Sequence, residues 1–239
     1  MKAVLSAAGT MLLAATLFAG EAHAQARRAA PAAATAGGQY SLIGGDTVGN
    51  NHDVISGEFG FPSVSLGYTH GMSPTTDIGA KFDLLYGVES VTNGCCQFGL
   101  GFRVPLRLTA TRRDKLSVLV HIDPGVKLYT FSSTWFGFQF PVGLTLGYAA
   151  APDLTVAFGV DLPMTIFVTP SPAAFYIAPL FGPAFEYHID RQLAIGLNTR
   201  FGPVINTATP GVPGFPGFFS SPSSTNFGFV TQLLLAYRL

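Results

Sequence analysis

The sequence carries little charge. Asp, Glu, Lys and Arg make up 11% of its 239 residues, whereas they supply about a quarter of an ordinary soluble domain. Its 13 basic residues are balanced by 13 acidic ones, so the chain has no excess of positive charge of the kind that binds nucleic acid. We therefore expect no nucleic-acid partner and a largely apolar environment.

Cysteine is nearly absent. The chain has two, Cys95 and Cys96, and because they are adjacent they can neither link distant segments nor form a four-ligand metal site by themselves. They fall in a predicted outer loop, and three states are open to them: a strained vicinal disulfide, a disulfide between two molecules, or two free thiols. The sequence predicts no metal site and no cofactor.

Long apolar runs are missing after the first two dozen residues. Lys2 precedes an apolar run from Ala3 to Ala19, and Ala22–Ala24 has the small residues that a signal peptidase recognises. We predict a signal peptide over residues 1–24. A single anchoring helix is the alternative, which the short run and the lack of a following charge cluster disfavour. The Ala-rich residues 25–38 are predicted to be a flexible periplasmic lead-in.

Glycine, proline and phenylalanine, by contrast, are abundant, with 28, 17 and 21 residues. Gly and Pro interrupt helices, so a hydrophobic chain rich in both is expected to form strands joined by turns. From Phe98 to Leu108 every even residue is a large apolar one, and every odd residue is Gly, Arg or Pro. Such alternation over about 9–11 residues is typical of a strand that crosses a membrane. The same alternation recurs in residues 78–86, 116–128, 136–148, 154–162, 175–187 and 193–201.

The polar face of these strands is rich in Gly and holds few charges. A soluble β-sandwich, the alternative, would carry many Lys and Glu on its polar face. We therefore predict an all-β fold, a closed antiparallel up-and-down transmembrane β-barrel whose polar residues line the lumen. The residues predicted to form this lumen-facing polar cluster are Lys81, Asp83, Arg103, Arg107, His121, Asp123, Lys127, Asp161, Glu186 and Arg200.

Counting back from the C-terminus gives nine strands, and a tenth is needed because bacterial single-chain barrels have an even number. We assign the tenth to residues 39–48 and its loop to residues 49–56, so the barrel covers residues 39–239 with about ten strands, or eight as the alternative. The nine strands are 57–70, 77–87, 97–109, 116–129, 135–148, 154–168, 174–187, 193–206 and 227–239. Short turns are predicted at 72–76, 111–115, 149–153 and 188–192, and longer, extracellular connections at 88–96, 130–135, 169–173 and 206–226.

The C-terminal strand carries the one local motif. Leu233, Leu235, Tyr237 and Leu239 place apolar side chains at alternate positions up to the last residue. In this ending and in its strand pattern, the chain resembles the small outer-membrane β-barrel proteins of Gram-negative bacteria, whose members commonly end in Phe or Trp where this chain has Leu239. The resemblance implies an outer-membrane location, contact with its lipid, and handling by periplasmic chaperones. It also implies that the barrel-assembly machinery reads Leu235, Tyr237 and Leu239.

We expect a non-enzymatic protein with a structural or narrow-channel role. The two His–Asp combinations, His52 with Asp53 and His121 with Asp123, have no Ser or further metal ligand at a suitable spacing. A membrane-embedded hydrolase acting on lipid is nevertheless one alternative. A surface adhesion or binding protein is another, because the 206–226 loop is rich in Phe, Pro and Gly.

The register expected across two hairpins brings Asp83, Arg103 and Asp123 together. A symmetric turn near residues 112–113 sets Arg103 opposite position 121 or 123, and a symmetric loop near residues 92–93 sets Asp83 opposite position 101 or 103. We therefore predict a row of Asp83, Arg103 and Asp123, with the guanidinium group between two carboxylates. In the alternative arrangement, each side chain reaches separately into water.

Overall fold

The structure, a computed structural model, describes residues 40–87, 98–130, 134–169, 174–208 and 223–239. The predicted signal peptide and lead-in, Cys95 and Cys96, and most of the predicted long connections lie outside these residues. The described part is all-β, with fifteen strands in one antiparallel sheet and no helix. Within it, accordingly, there is no helix with the length and apolar character needed to cross a membrane.

The strands follow one another in chain order. They are β1 (Asp53–Phe61), β2 (Ser63–Ser73), β3 (Thr76–Leu85), β4 (Phe98–Arg103), β5 (Leu106–Arg113), β6 (Leu116–Ile122), β7 (Gly125–Thr130), β8 (Thr134–Gln139), β9 (Val142–Ala149), β10 (Leu154–Leu162), β11 (Met164–Thr169), β12 (Ala174–Ile177), β13 (Leu180–His188), β14 (Leu193–Ala208) and β15 (Ser223–Arg238).

Five breaks of one or two residues separate strands that continue in the same direction, and each of these five contains a proline. Proline has no N–H to donate and therefore interrupts a ladder. Its carbonyl still accepts: the Val104 N–H donates to the Pro124 oxygen at 2.9 Å, and the Asp123 N–H to the Pro141 oxygen at 2.9 Å. Each broken pair thus continues as one long strand of the sheet. The five prolines are Pro105, Pro124, Pro141, Pro163 and Pro179.

The strand pairings form a ring. β1 pairs with β2 on one side and with the C-terminal strand β15 on the other, where Val54 lies opposite Arg238. β3 pairs with both β4 and β5, and β14 pairs with both β12 and β13. Following the pairings from strand to strand therefore leads back to the first one.

Short turns join the strands at one end of the ring, which we call the short-turn end. They lie at residues 74–75, 114–115, 150–153 and 189–192, within the ranges that the sequence predicts. In the last of them the Asp190 carboxylate accepts from the Gln192 and Leu193 N–H groups at 2.7 Å each. These bonds close the turn and lower the pKa of Asp190 below its ordinary value. The opposite end is called the loop end.

The sequence misassigned the start of the ring. The expectation of a strand at residues 39–48 is wrong, because the described residues 40–48 belong to no strand. Residues 42–46 are bends, and side chains bind the backbone of this segment. The expectation of one strand at 57–70 and a loop at 49–56 is also wrong. β1 and β2 form a hairpin that reverses at Pro62, whose carbonyl accepts from the Tyr86 and Gly87 N–H groups at 3.1 Å. The predicted strands from 77–87 onward match the described ones to within a few residues, apart from the proline breaks.

The two faces of the sheet have inverted polarity. One face exposes large apolar side chains, among them Val120, Leu144, Val160 and Phe181, which are 42–47% exposed. These four lie opposite one another on the successive strands β6, β9, β10 and β13, so the apolar surface is continuous across them. The other face buries polar groups, and Glu186 is 0% exposed. This polar, inner face holds the candidate functional residues.

Candidate functional site

A bidentate ion pair anchors the inner face. The Arg103 guanidinium donates from Nε to the Asp83 Oδ2 at 2.8 Å and from Nη2 to Oδ1 at 2.7 Å. The Ser65 hydroxyl completes the carboxylate's contacts at 2.7 Å. On its other side, Arg103 Nη1 lies 3.6 Å from the Asp123 Oδ2. The structure thus brings the three residues of the predicted row together, with a much closer contact to Asp83 than to Asp123.

The chain of contacts continues beyond that row. His121 lies between two carboxylates, with Nδ1 3.3 Å from Asp123 and Nε2 2.9 Å from Asp161. A neutral imidazole has one donor and one acceptor nitrogen, so hydrogen bonds to carboxylates from both nitrogens require the charged ring. Arg200 donates from Nε to the far oxygen of Asp161 at 2.7 Å.

These six side chains form what we call the ion-pair band. Three carboxylates alternate with three cations, so the band has no net charge although all its members lie on the inner face. It runs from β3 to β14 across more than half of the ring. Its members, in spatial order, are Asp83, Arg103, Asp123, His121, Asp161 and Arg200.

Glycines make room for the band. Gly143 on β9 lies between His121 and Asp161, and a Cβ built there would overlap both side chains. Gly159 on β10 lies beneath the Arg200 guanidinium in the same way. The polar face is rich in Gly, as the sequence shows, and the absence of side chains at Gly143 and Gly159 leaves the space that charged side chains occupy.

Two further predicted residues lie beside the band. Lys81 bonds to Glu58 at 2.5 Å, and the sequence missed Glu58 because it did not separate β1 from β2. Lys127 is buried, and its Nζ lies 5.8 Å from the centre of the Tyr176 ring. A cation over an aromatic face is attracted by the ring quadrupole.

Tyr176 belongs to an aromatic layer near the loop end. Its members are buried on the inner face, and the Trp135 ring meets the Phe167 ring edge-on with centroids 5.8 Å apart. Tyr129 packs against Phe167 at 6.2 Å. The signal for this layer was present in the alternation, since these aromatic residues fall on the polar face of their strands. The layer consists of Tyr129, Trp135, Phe167 and Tyr176.

The last two predicted residues, Arg107 and Glu186, hold residues 40–48 rather than each other. Glu186 accepts from the Leu42 and Gly44 N–H groups at 3.0 Å each. Arg107 donates to the Leu42 and Asp46 carbonyls at 2.8 Å each. Because the sequence predicts a strand at 39–48, it gives no sign of this arrangement.

Between these layers lies a cavity of about 230 Å³. Its lining is polar and mostly already paired, including Glu58, Lys81 and members of the ion-pair band. Within the described ranges no three His, Cys, Asp or Glu side chains are grouped so as to hold a metal ion. The hydrogen bonds of His70 and His121 in the described residues go to carboxylates, Asp53 at 2.7 Å in the case of His70. The arrangement therefore fixes charges in place.

No protein-family model matches this chain. A search of curated proteins likewise finds no similar sequence.

The unequal distances within the row predict unequal coupling. In a double-mutant cycle of Arg103→Met with Asp83→Asn, we expect a coupling of about 1–3 kcal/mol, because the pair is bidentate and partly buried. For Arg103→Met with Asp123→Asn we expect under about 1 kcal/mol. Both cycles are measured as free energies of unfolding in detergent or lipid. Additive effects in the first cycle would show that the bidentate pair contributes nothing.

Proposed function

We propose that this chain is a non-enzymatic integral outer-membrane protein whose ring of strands closes as a β-barrel. The observation that carries the proposal is the inverted polarity of the sheet. A water-soluble protein rarely exposes a contiguous apolar patch above a few hundred Å², whereas the row from Val120 to Phe181 crosses four successive strands. A surface of this kind fits the hydrocarbon of a bilayer.

The strand count supports the same proposal. Joining the strands on either side of the five proline breaks reduces the fifteen described strands to ten. An even number is the rule in bacterial single-chain barrels, and it sets both chain ends on the same side of the membrane. β1 begins and β15 ends at the short-turn end, which in this proposal faces the periplasm.

The C-terminal strand fits recognition during assembly. Leu233, Leu235, Tyr237 and Leu239 are 46–63% exposed on the apolar face, as the alternation of β15 requires. In the proposal this face meets lipid and is the part that the barrel-assembly machinery reads. Periplasmic chaperones would shield it before insertion.

The filled interior favours a structural role or a narrow channel over an open pore. A ten-stranded barrel has a much narrower lumen than the 16- to 18-stranded barrels that leave an aqueous channel. Here the ion-pair band, the aromatic layer and residues 40–48 occupy much of that lumen.

Closure should be visible on a gel. We expect the mature protein to fractionate with outer membranes and to migrate differently when it is not heated, because a closed barrel has no free edge from which it can unfold easily. Semi-native electrophoresis with and without heating measures this. Release of the protein by carbonate or high salt would contradict the membrane assignment.

Substitutions on the apolar face should depend on depth. Leu144→Arg, near the middle of a wall strand, should cost about 2–4 kcal/mol if lipid covers it, and Leu116→Arg, next to a short turn, about 0–1 kcal/mol. The two leucines are matched in exposure, at 44% and 48%. Unfolding titrations in lipid vesicles give both values. Equal costs at the two positions would mean that the apolar face does not meet a bilayer.

Conductance measurements distinguish the structural role from the narrow channel. Because its interior is filled, the protein in planar bilayers should show either no current steps or steps far smaller than those of a sixteen-stranded porin. Small discrete steps would favour the narrow channel, and silence the structural role. Steps of porin size would rule out the filled interior.

A further inference from the structure

Residues 40–48 cross the inside of the ring at the short-turn end and contact strands around it. Tyr40 donates from its hydroxyl to the Ala236 carbonyl of β15 at 2.8 Å. The Val48 N–H bonds to Asp77 of β3 at 3.1 Å. Between them, the Gly44 carbonyl lies so close to Gly147 of β9 that a Cβ there would overlap it. With Arg107 on β5 and Glu186 on β13, the segment is held from many sides.

Charged side chains bind both kinds of backbone group in the segment, the N–H groups and the carbonyls. One carboxylate, Glu186, receives the Leu42 and Gly44 N–H groups and the Ser41 hydroxyl, the last at 2.6 Å. Successive N–H groups gathered on one anion form a nest. One guanidinium, Arg107, reaches the carbonyls of Ser41, Leu42 and Asp46 at 2.8–3.1 Å. Most of the hydrogen bonds from Glu186 and Arg107 are therefore made to the peptide backbone of the segment and not to its side chains.

The segment is not part of the wall. None of residues 40–48 belongs to a strand or enters the strand pairings. Arg107 also pairs with Asp77 of β3 at 2.9 Å, a contact between two strands of the wall. After the segment, the chain is hydrogen-bonded to β2 at Asn51, whose N–H bonds to the Gly71 carbonyl at 2.8 Å. Gly49 has a φ of 91°, which glycine adopts without strain, so it can serve as a hinge.

We propose that the short-turn end of the lumen is a peptide-backbone binding site whose resident ligand is the chain's own residues 40–48, which act as a removable plug. Glu186 and Arg107 are the binding residues, and the ligand class is a short looped peptide. This inference rests on the proposed function, because a plug needs a barrel to close.

One side-chain pair allows the plug to be released by charge. The Asp46 carboxylate is bound by Arg112 of β5, with Nε 2.8 Å from Oδ2 and a second contact from Nη2 to Oδ1. Asp46→Arg would set like charges beside both Arg112 and Arg107 and should expel the segment. Asp46→Arg combined with Arg112→Asp restores opposite charges and should return it.

The readout is the reactivity of a thiol beneath the plug. Ser117 is buried, and its hydroxyl oxygen lies 3.3 Å from the position of a Cβ built on Gly45. In the full chain with Cys95→Ser and Cys96→Ser, Ser117→Cys should react slowly with a maleimide. Asp46→Arg should speed this reaction by about tenfold or more, since labelling follows the open population. The double charge swap should slow it again. Ser65→Cys, buried on the inner face beside Asp83, is the control and should not change.

A peptide with the sequence of residues 40–48 tests the binding site directly. Added in excess to the Asp46→Arg variant, it should restore protection of Ser117→Cys, and the same peptide carrying Asp46→Arg should not. A Ser117→Cys that is already fast in the unaltered protein, stays slow in Asp46→Arg, or ignores the peptide would overturn the proposal. The unheated gel band of each sample reports the barrel separately, so loss of the barrel is distinguished from loss of the plug. If Asp46→Arg does not give that band, Asp46→Asn is the milder variant, with the same expected direction.

Discussion

The pairing of the first strand with the last is the contact on which the rest of this structure depends. β1 and β15 are joined over eight residue pairs, from Val54 opposite Arg238 to Phe61 opposite Thr231. Without that ladder the sheet would have two free edges, each with a row of unpaired backbone groups. With it, the sheet has an inside and an outside, and each side chain must suit one of them. Because successive side chains of a strand point to opposite faces, the sequence alternates between apolar and polar residues.

Placing charge inside the ring creates a second demand, which glycine meets. A charge removed from water is costly unless it is paired and hydrogen-bonded. Pairs within one hairpin, such as Asp83 with Arg103, need only adjacent strands. His121 and Asp161 are separated by β9, and they meet only because Gly143 leaves the intervening position empty. The neutral ion-pair band therefore depends on the glycines of the polar face, which leave room for side chains on non-adjacent strands to meet.

The sequence predicted contacts between residues that are close along the chain better than contacts between distant ones. Alternation located the strands from β3 onward, since it depends only on neighbours along the chain. Turn symmetry brought Arg103 to Asp83, since a hairpin fixes register across one turn. The link from Asp161 to Arg200 was missed because it depends on how strands are staggered around the ring. Alternation cannot show that stagger.

The start of the chain was misread for a different reason. Residues 57–70 were predicted to be one strand, although the chain reverses at Pro62, whose carbonyl accepts from the Tyr86 and Gly87 N–H groups just after β3. Residues 40–48 carry an alternation too weak to define a strand, and their conformation is set by Glu186 and Arg107, more than fifty residues away in sequence.

The three layers inside the ring show why those two distant residues matter. Near the loop end, aromatic rings fill the lumen without adding charge. In the middle, where only wall side chains are available, charges of opposite sign neutralise one another along the band. At the short-turn end Arg107 retains Asp77 as a partner, but Glu186 is fully buried, and the partners that the structure gives it are groups of residues 41–44. A carboxylate in that position requires donors, and the backbone of the N-terminal segment supplies them. The segment is therefore as much a part of the electrostatic balance of the interior as the side chains of the wall.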